Sequence, residues 1–159
     1  MHKTLNNLIE IQKKIKNKIN LLSISNYSPK VIAVSKTFEK NNILPLLDSG
    51  HLDFGENKVQ EALLKWPELK TRFTDVKLHM LGRLQTNKVK HAIEIFDYIH
   101  SLDNSKLANK LATEIKKKNK KIKLFIQINL DKENQKAGID QSDLATFYKN
   151  CIALKLNIV

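Results

Sequence analysis

The sequence predicts an α/β fold: a parallel sheet whose strands alternate with helices, preceded by an N-terminal helix. Three observations carry this. Short apolar runs recur along the chain, one to each strand–helix unit. Between them, apolar residues fall at helical spacing. The clearest run, "KIKLFIQINL", is apolar on both faces, as a strand covered on both sides must be. Periodicity alone leaves two closures open, a doubly wound sheet or a (β/α)8 barrel of about 250 residues.

The elements follow in order. The first 23 residues predict an amphipathic helix, with Leu5, Leu8, Ile9, Ile15, Ile19 and Leu22 at helical spacing. Val31–Val34 predicts a strand. A helix through Ile43, Leu44 and Leu47 follows, closed by Gly50, with Pro45 near its first turn or bending it. "LDFGEN" gives a very short strand and a turn. "ENKVQEALLKW" gives a helix with Val59, Leu63 and Trp66 on one side, stopped at Pro67. Val76–Leu81 predicts a strand and Asn87 to Phe96 a helix. "DYIHSL" is a strand, after which Asp103 caps a helix carrying Leu107, Leu111 and Ile115. The strand "KIKLFIQINL" comes next. Residues 140 to 154 then predict a helix with Leu144, Phe147, Tyr148 and Cys151 inward, and "KLNIV" begins a sixth strand.

Composition narrows the function. A chain of 159 residues, 42% hydrophobic and 28% charged, describes one globular domain with a real core. Its apolar runs fall far short of a bilayer span, and its start lacks the apolar stretch of a secretory signal. The single cysteine, Cys151, excludes an intrachain disulfide, fits a reducing cytoplasm and suits core filling. The net charge of +12 invites a nucleic-acid partner. Against that, Arg72 and Arg83 are the only arginines, and the lysines are scattered apart from "KKKNKK". No Gly-rich dinucleotide or Walker motif and no zinc spacing is present.

In either architecture the C-terminal strand ends form the active side. Those ends carry Ser35-Lys36-Thr37, Gly55-Glu56-Asn57, Gly82-Arg83-Leu84-Gln85, His100-Ser101 and Asn129. Most have ordinary explanations: Glu56 and Asp103 as helix caps, His100 as a satisfied strand-end histidine, Gln85, Thr86 and Asn87 as loop chemistry. Lys36 is different. An amine beside buried apolar residues loses solvation of its charge, and the neutral amine that results attacks aldehydes to give a Schiff base. A solvated edge lysine is the plain alternative.

The motifs "IAVSKT", "FGENKVQEA", "HMLGRLQTNK", "IHSLD" and "IQINLDKENQKAGI" stand in order from Lys30 to the last residue. Together they closely resemble the pyridoxal-phosphate homeostasis family, related in fold to the N-terminal barrel of bacterial alanine racemase. The resemblance implies a barrel of about five and a half βα units, with residues 1–159 forming a single, incomplete cofactor-binding domain. It implies pyridoxal 5′-phosphate as cofactor, bound through Lys36 at the end of the first strand, with Asn57 of "GEN" close by. The stretch His79, Gly82, Leu84, Gln85, Asn87 and Lys88 would line the third strand and its loop, and Lys136 the loop after strand five. Members of the family carry and buffer the cofactor rather than turn over a substrate. The alternatives are a remnant of a pyridoxal-phosphate amino-acid racemase and an inert truncated fragment.

The sequence departs from the family's pattern in its length. It stops at "LNIV", where members continue through two further βα units that hold a Ser/Gly-rich turn and an Arg-Ile-Gly stretch for the phosphate. The expectation is therefore an amine without its full anion cradle and weakened affinity. Open first and sixth strands are expected to promote self-association. Two substitutions also depart from relatives: Lys58, expected to face solvent, and Leu78, expected to be a packing change.

Overall fold

The computed structural model describes residues 2–130 and 137–159, so Lys136 lies outside the described residues. Six strands form one parallel sheet: β1 (Ala33–Val34), β2 (Asp53–Glu56), β3 (Lys77–Met80), β4 (Tyr98–Leu102), β5 (Lys123–Ile126) and β8 (Asn157–Ile158). They lie in the sequential order β1-β2-β3-β4-β5-β8. This order decides between the two closures. A doubly wound sheet reverses direction at a switch point, whereas a barrel wall steps always the same way. The sheet is six consecutive strands of a (β/α)8 barrel. Two further segments, β6 (Ile128–Asn129) and β7 (Ile139–Asp140), form a small parallel pair beyond β5.

The helices are α1 (Lys3–Leu21), α2 (Lys40–Asp48), α3 (Val59–Arg72), α4 (Val89–Ile95), α5 (Ser105–Lys118) and α6 (Leu144–Ala153), with 3-10 turns at Thr86–Lys88 before α4 and Gln141–Asp143 before α6. Strand register sorts residues onto two faces. Phe54 pairs with Leu78, Met80 with Ile99, and Ile99 with Leu124. These are essentially inaccessible and face the helices, where Ile43, Trp66, Ile93, Leu107, Leu111 and Cys151 complete the core. The other face, the barrel interior, carries Val34, Gly55, His79, Tyr98 and Lys123 in register.

Several boundaries differ from expectation. Helix α3 passes through Pro67 and ends at Arg72. The proline ring is exposed while Trp66 and Leu69 on either side are buried, so packing outweighs the lost backbone bond. The buried stripe of α3 is Val59, Ala62, Lys65, Trp66 and Leu69, with Leu63 only partly buried. Pro45 sits sixth in α2, past its first turn. Asn104, not Asp103, caps α5, accepting from the Leu107 N–H at 2.9 Å. Tyr148 is exposed, while Phe147 and Cys151 alone of α6 are buried. In α1 only Leu8 is buried, and a cavity of about 810 Å³ separates its apolar stripe from Val31, Leu52 and Asp53 at the N-terminal strand ends. The basic run "KKKNKK" is a helix end. Lys116, Lys117 and Lys118 occupy the last turn of α5, and Asn119 takes the left-handed cap conformation at φ 49°.

Pro67 cannot donate to the carbonyl of Leu63. Pro67→Ala therefore restores a bond at an exposed position and is expected to raise stability by about 1–2 kcal/mol, the helix-interior proline cost less the entropy returned to the unfolded chain. The midpoint of urea unfolding reads this directly. An unchanged or lower midpoint would mean that the proline ring contributes packing of its own.

Candidate functional site

The carboxyl ends of β1, β2 and β3 build the rim where Lys36 lies. Val34 pairs with Gly55, and the Ser35 N–H donates to the Gly55 carbonyl at 2.8 Å, extending the ladder one residue. Ser35 turns inward and is 4% exposed. Lys36 follows it in an exposed turn, and Thr37 adopts a left-handed backbone at φ 64°. Its neighbours Val34 and Phe38 are 45% and 52% exposed.

Asn57 follows β2 directly and is half-buried. Its backbone is held by the "LGR" segment after β3. The Leu81 N–H donates to the Glu56 carbonyl at 2.9 Å, and a Cβ on Gly82 would stand 2.3 Å from the Asn57 carbonyl oxygen. Only glycine allows that approach. Lys36 and Asn57 therefore sit on adjacent strand ends at the rim. His79 lies deeper, in register with Gly55 and 4% exposed.

His79 belongs to a polar chain on the barrel interior. Its Nε2 lies 3.1 Å from Asp53 Oδ1, and its Nδ1 lies 2.9 Å from His100 Nε2. One assignment satisfies every contact with both rings neutral: His79 Nε2–H donates to Asp53, and His100 Nε2–H donates to His79 Nδ1. Aromatic rings brace the pair. Tyr98 stacks on His79 at 4.3 Å and Phe125 on His100 at 4.4 Å. Burial lowers the pKa of His79 despite the opposing Asp53 carboxylate. Burial, together with the neighbouring His79, brings His100 down to about 4. His100 is thus a satisfied strand histidine, as expected, and its partner is His79.

Glu56 is not a helix cap. The residue preceding α3 is Lys58, which makes no side-chain capping bond. Glu56 points among the helices, fully buried, and its Oε1 accepts from Ser35 Oγ at 2.7 Å, Lys65 Nζ at 2.9 Å and Trp66 Nε1 at 3.0 Å. Lys65 also donates to the Ser35 carbonyl at 2.8 Å and to Glu61 Oε1 at 3.0 Å. Glu61 in turn accepts from the Thr37 N–H at 2.6 Å. Sequence reasoning missed Lys65 and Glu61. The available signal was Lys65 standing at the inward spacing set by Ala62, Trp66 and Leu69, an apolar face that admits a lysine only with a partner.

The chain as a whole is similar to several known proteins. The model for "Alanine racemase, N-terminal domain" matches residues 9–159. The pyridoxal phosphate homeostasis protein of Pasteurella multocida is 32% identical over 143 residues, covering 90% of this chain and 61% of the relative. That of Haemophilus influenzae is 33% identical, covering 91% and 61%. The chain thus spans about three-fifths of the length of these relatives. Among solved structures, PipY of Synechococcus elongatus superposes with a TM-score of 0.75 at 37% identity without PLP, covering 87% of this chain and 65% of that one. With PLP bound, the same protein gives a TM-score of 0.72 at 34% identity, covering 87% and 68%. An alanine racemase of Clostridium difficile, at 14% identity and a TM-score of 0.63, shares the fold.

Gly82→Ala forces a methyl into the Asn57 backbone and is expected to cost about 1–3 kcal/mol, the usual range for overpacking. The urea midpoint measures the cost, and amide chemical shifts at Asn57 should move with it. The histidine chain sets a pH window. With folded-state pKa values below the unfolded value near 6.5, the unfolded chain binds more protons between about pH 6.5 and 4, so stability falls as pH drops through that range. Thermal melts across this window should show the slope, and His100→Gln should reduce it.

Proposed function

Because the chain belongs to the family of the alanine racemase N-terminal domain, we propose that it is a pyridoxal 5′-phosphate-binding barrel domain that carries and buffers the cofactor without turnover. The observation that carries this reading is an exposed lysine at the carboxyl end of the first strand of a sequentially ordered barrel wall, in a chain whose relatives are pyridoxal phosphate homeostasis proteins. The cofactor supplies an aldehyde that condenses with a primary amine. Lys36 offers that amine, reachable from solvent. Asn57 offers amide donor and acceptor groups on the adjacent strand end, its backbone fixed against Gly82. His79 is a buried neutral ring whose orientation is set by Asp53 and His100. This donor set fits an aldehyde-bearing aromatic ring, and a carrier needs no further acid or base.

Residues 1–159 act in this reading as one domain, supported by a single core shared between the sheet and its helices. Barrel phosphate sites commonly come from the loops after strands seven and eight, which these residues do not include, so their own affinity should be low. A cytoplasmic setting is consistent with the lone buried Cys151, and no described helix is long and apolar enough to cross a membrane.

Incubation with pyridoxal phosphate, borohydride reduction and peptide mapping test the reading. The expected result is a pyridoxyl adduct concentrated on Lys36, saturating only well above micromolar cofactor and lost in Lys36→Ala. Adducts spread evenly over the surface lysines would overturn it.

A further inference from the structure

We infer that Glu56, Lys65 and Glu61 form a clamp that fixes the position of Lys36, making them positioning residues for its amine. The inference rests on the reading of Lys36 as the cofactor amine. The bonds reach both neighbours of Lys36. On one side, Ser35 is held by its hydroxyl on Glu56 at 2.7 Å and by its carbonyl under Lys65 at 2.8 Å. On the other, the Thr37 N–H is held by Glu61 at 2.6 Å, in the left-handed conformation that turns the chain away from β1. Lys65 joins the two arms, 2.9 Å from Glu56 and 3.0 Å from Glu61. A segment that leaves a two-residue strand into an exposed turn would otherwise be free to fray.

Stability alone does not account for this arrangement. A buried ion pair loses so much solvation that apolar side chains of similar volume often stabilise as well or better. Here, however, Glu56 is fully buried and Lys65 is 8% exposed, among apolar neighbours that could have continued the core. What the charged pair provides, and a leucine pair would not, is a set of directional bonds to one turn. The clamp also distinguishes the two lysines. The three N–H donors of Lys65 are engaged by Ser35, Glu56 and Glu61. Among the described residues, Lys36 makes no hydrogen bond or ion pair. One amine is thereby held as a structural cation, and the other is presented to solvent on a fixed backbone.

The test uses Glu61, whose side chain is 27% exposed, because loss of its bond leaves the buried Glu56–Lys65 pair intact. Brief pyridoxal-phosphate exposure and borohydride trapping are followed by quantifying the Lys36 adduct relative to that on exposed Lys3, which serves as an internal standard. Glu61→Ala is expected to lower the Lys36:Lys3 ratio about five- to tenfold, within the range a typical single hydrogen bond sets, with circular dichroism unchanged. Glu61→Gln, which keeps an acceptor for the Thr37 N–H, should recover most of it. Ser35→Ala, which removes the other arm's hydroxyl, should also lower the ratio. Amide hydrogen exchange without cofactor supplies the independent arm: the Thr37 amide should exchange faster in Glu61→Ala. An unchanged Thr37 exchange rate, or a wild-type adduct ratio in Glu61→Ala, overturns the clamp. Accelerated exchange in a protein whose wild-type form never labels at Lys36 leaves the clamp standing and removes the cofactor reading instead.

Discussion

The in-register, sequential pairing of parallel strands is the constraint on which the rest of the structure depends. Each strand joins the sheet beside its predecessor, so each crossover must travel the same way, and right-handedness then places every helix on one face. That leaves the other face to line a barrel interior and collects the carboxyl ends of all the strands at one rim. Lys36, Asn57 and Gly82 are remote in sequence until this pairing makes them neighbours. The Gly82–Asn57 contact shows how tightly the rim is specified. There the backbone of one strand end occupies the space where the next would carry its side chain.

The two faces of the sheet treat polar groups differently. On the helix face nearly everything is apolar, and the exceptions are concentrated where β1, β2 and α3 meet. Glu56 gathers three donors on one oxygen, while its Oε2 has no partner among the described residues. Such lopsided use of a buried carboxylate is what results when geometry, rather than even solvation of both oxygens, decides its orientation. On the interior face, polarity is graded along the strands. Asp53 stands at the amino end of β2, His79 one level up and His100 beyond it, with Tyr98 and Phe125 closing the flanks. The same β2 segment thus supplies Asp53 to one network and Glu56 to the other.

The strand ends were legible in the sequence because a parallel strand announces itself twice, by an apolar run and by the polar residues where the run stops. That is why Ser35, Lys36, Asn57 and Gly82 could be singled out before any coordinates. The helix limits were less legible, because local rules compete with packing. Pro67 should stop α3 by its missing N–H, yet Trp66 and Leu69 anchor the helix on either side of it. Asp103 and Asn104 are both good capping residues, and the side chain of Asn104 is the one that caps α5. Side-chain networks were illegible for a different reason. Glu56 and Lys65 are nine residues apart, but Ser35 is twenty-one from Glu56 and His79 twenty-one from His100, and no local period encodes such pairings.

With Lys36 as the cofactor amine proposed above, its exposure bears on how that chemistry would run. Deep burial would favour a neutral amine by desolvation, but it would also hinder the arrival of a charged aldehyde and its release. The proposed carrier role would gain from the opposite arrangement: a solvated amine on a well-held backbone, so that little ordering accompanies each binding event. Selectivity over the other lysines of a strongly basic chain would then rest on position. On this view, the neighbours that hold the rim turn matter as much as the lysine itself, and the buried charges of α3 belong to the site although they lie behind it.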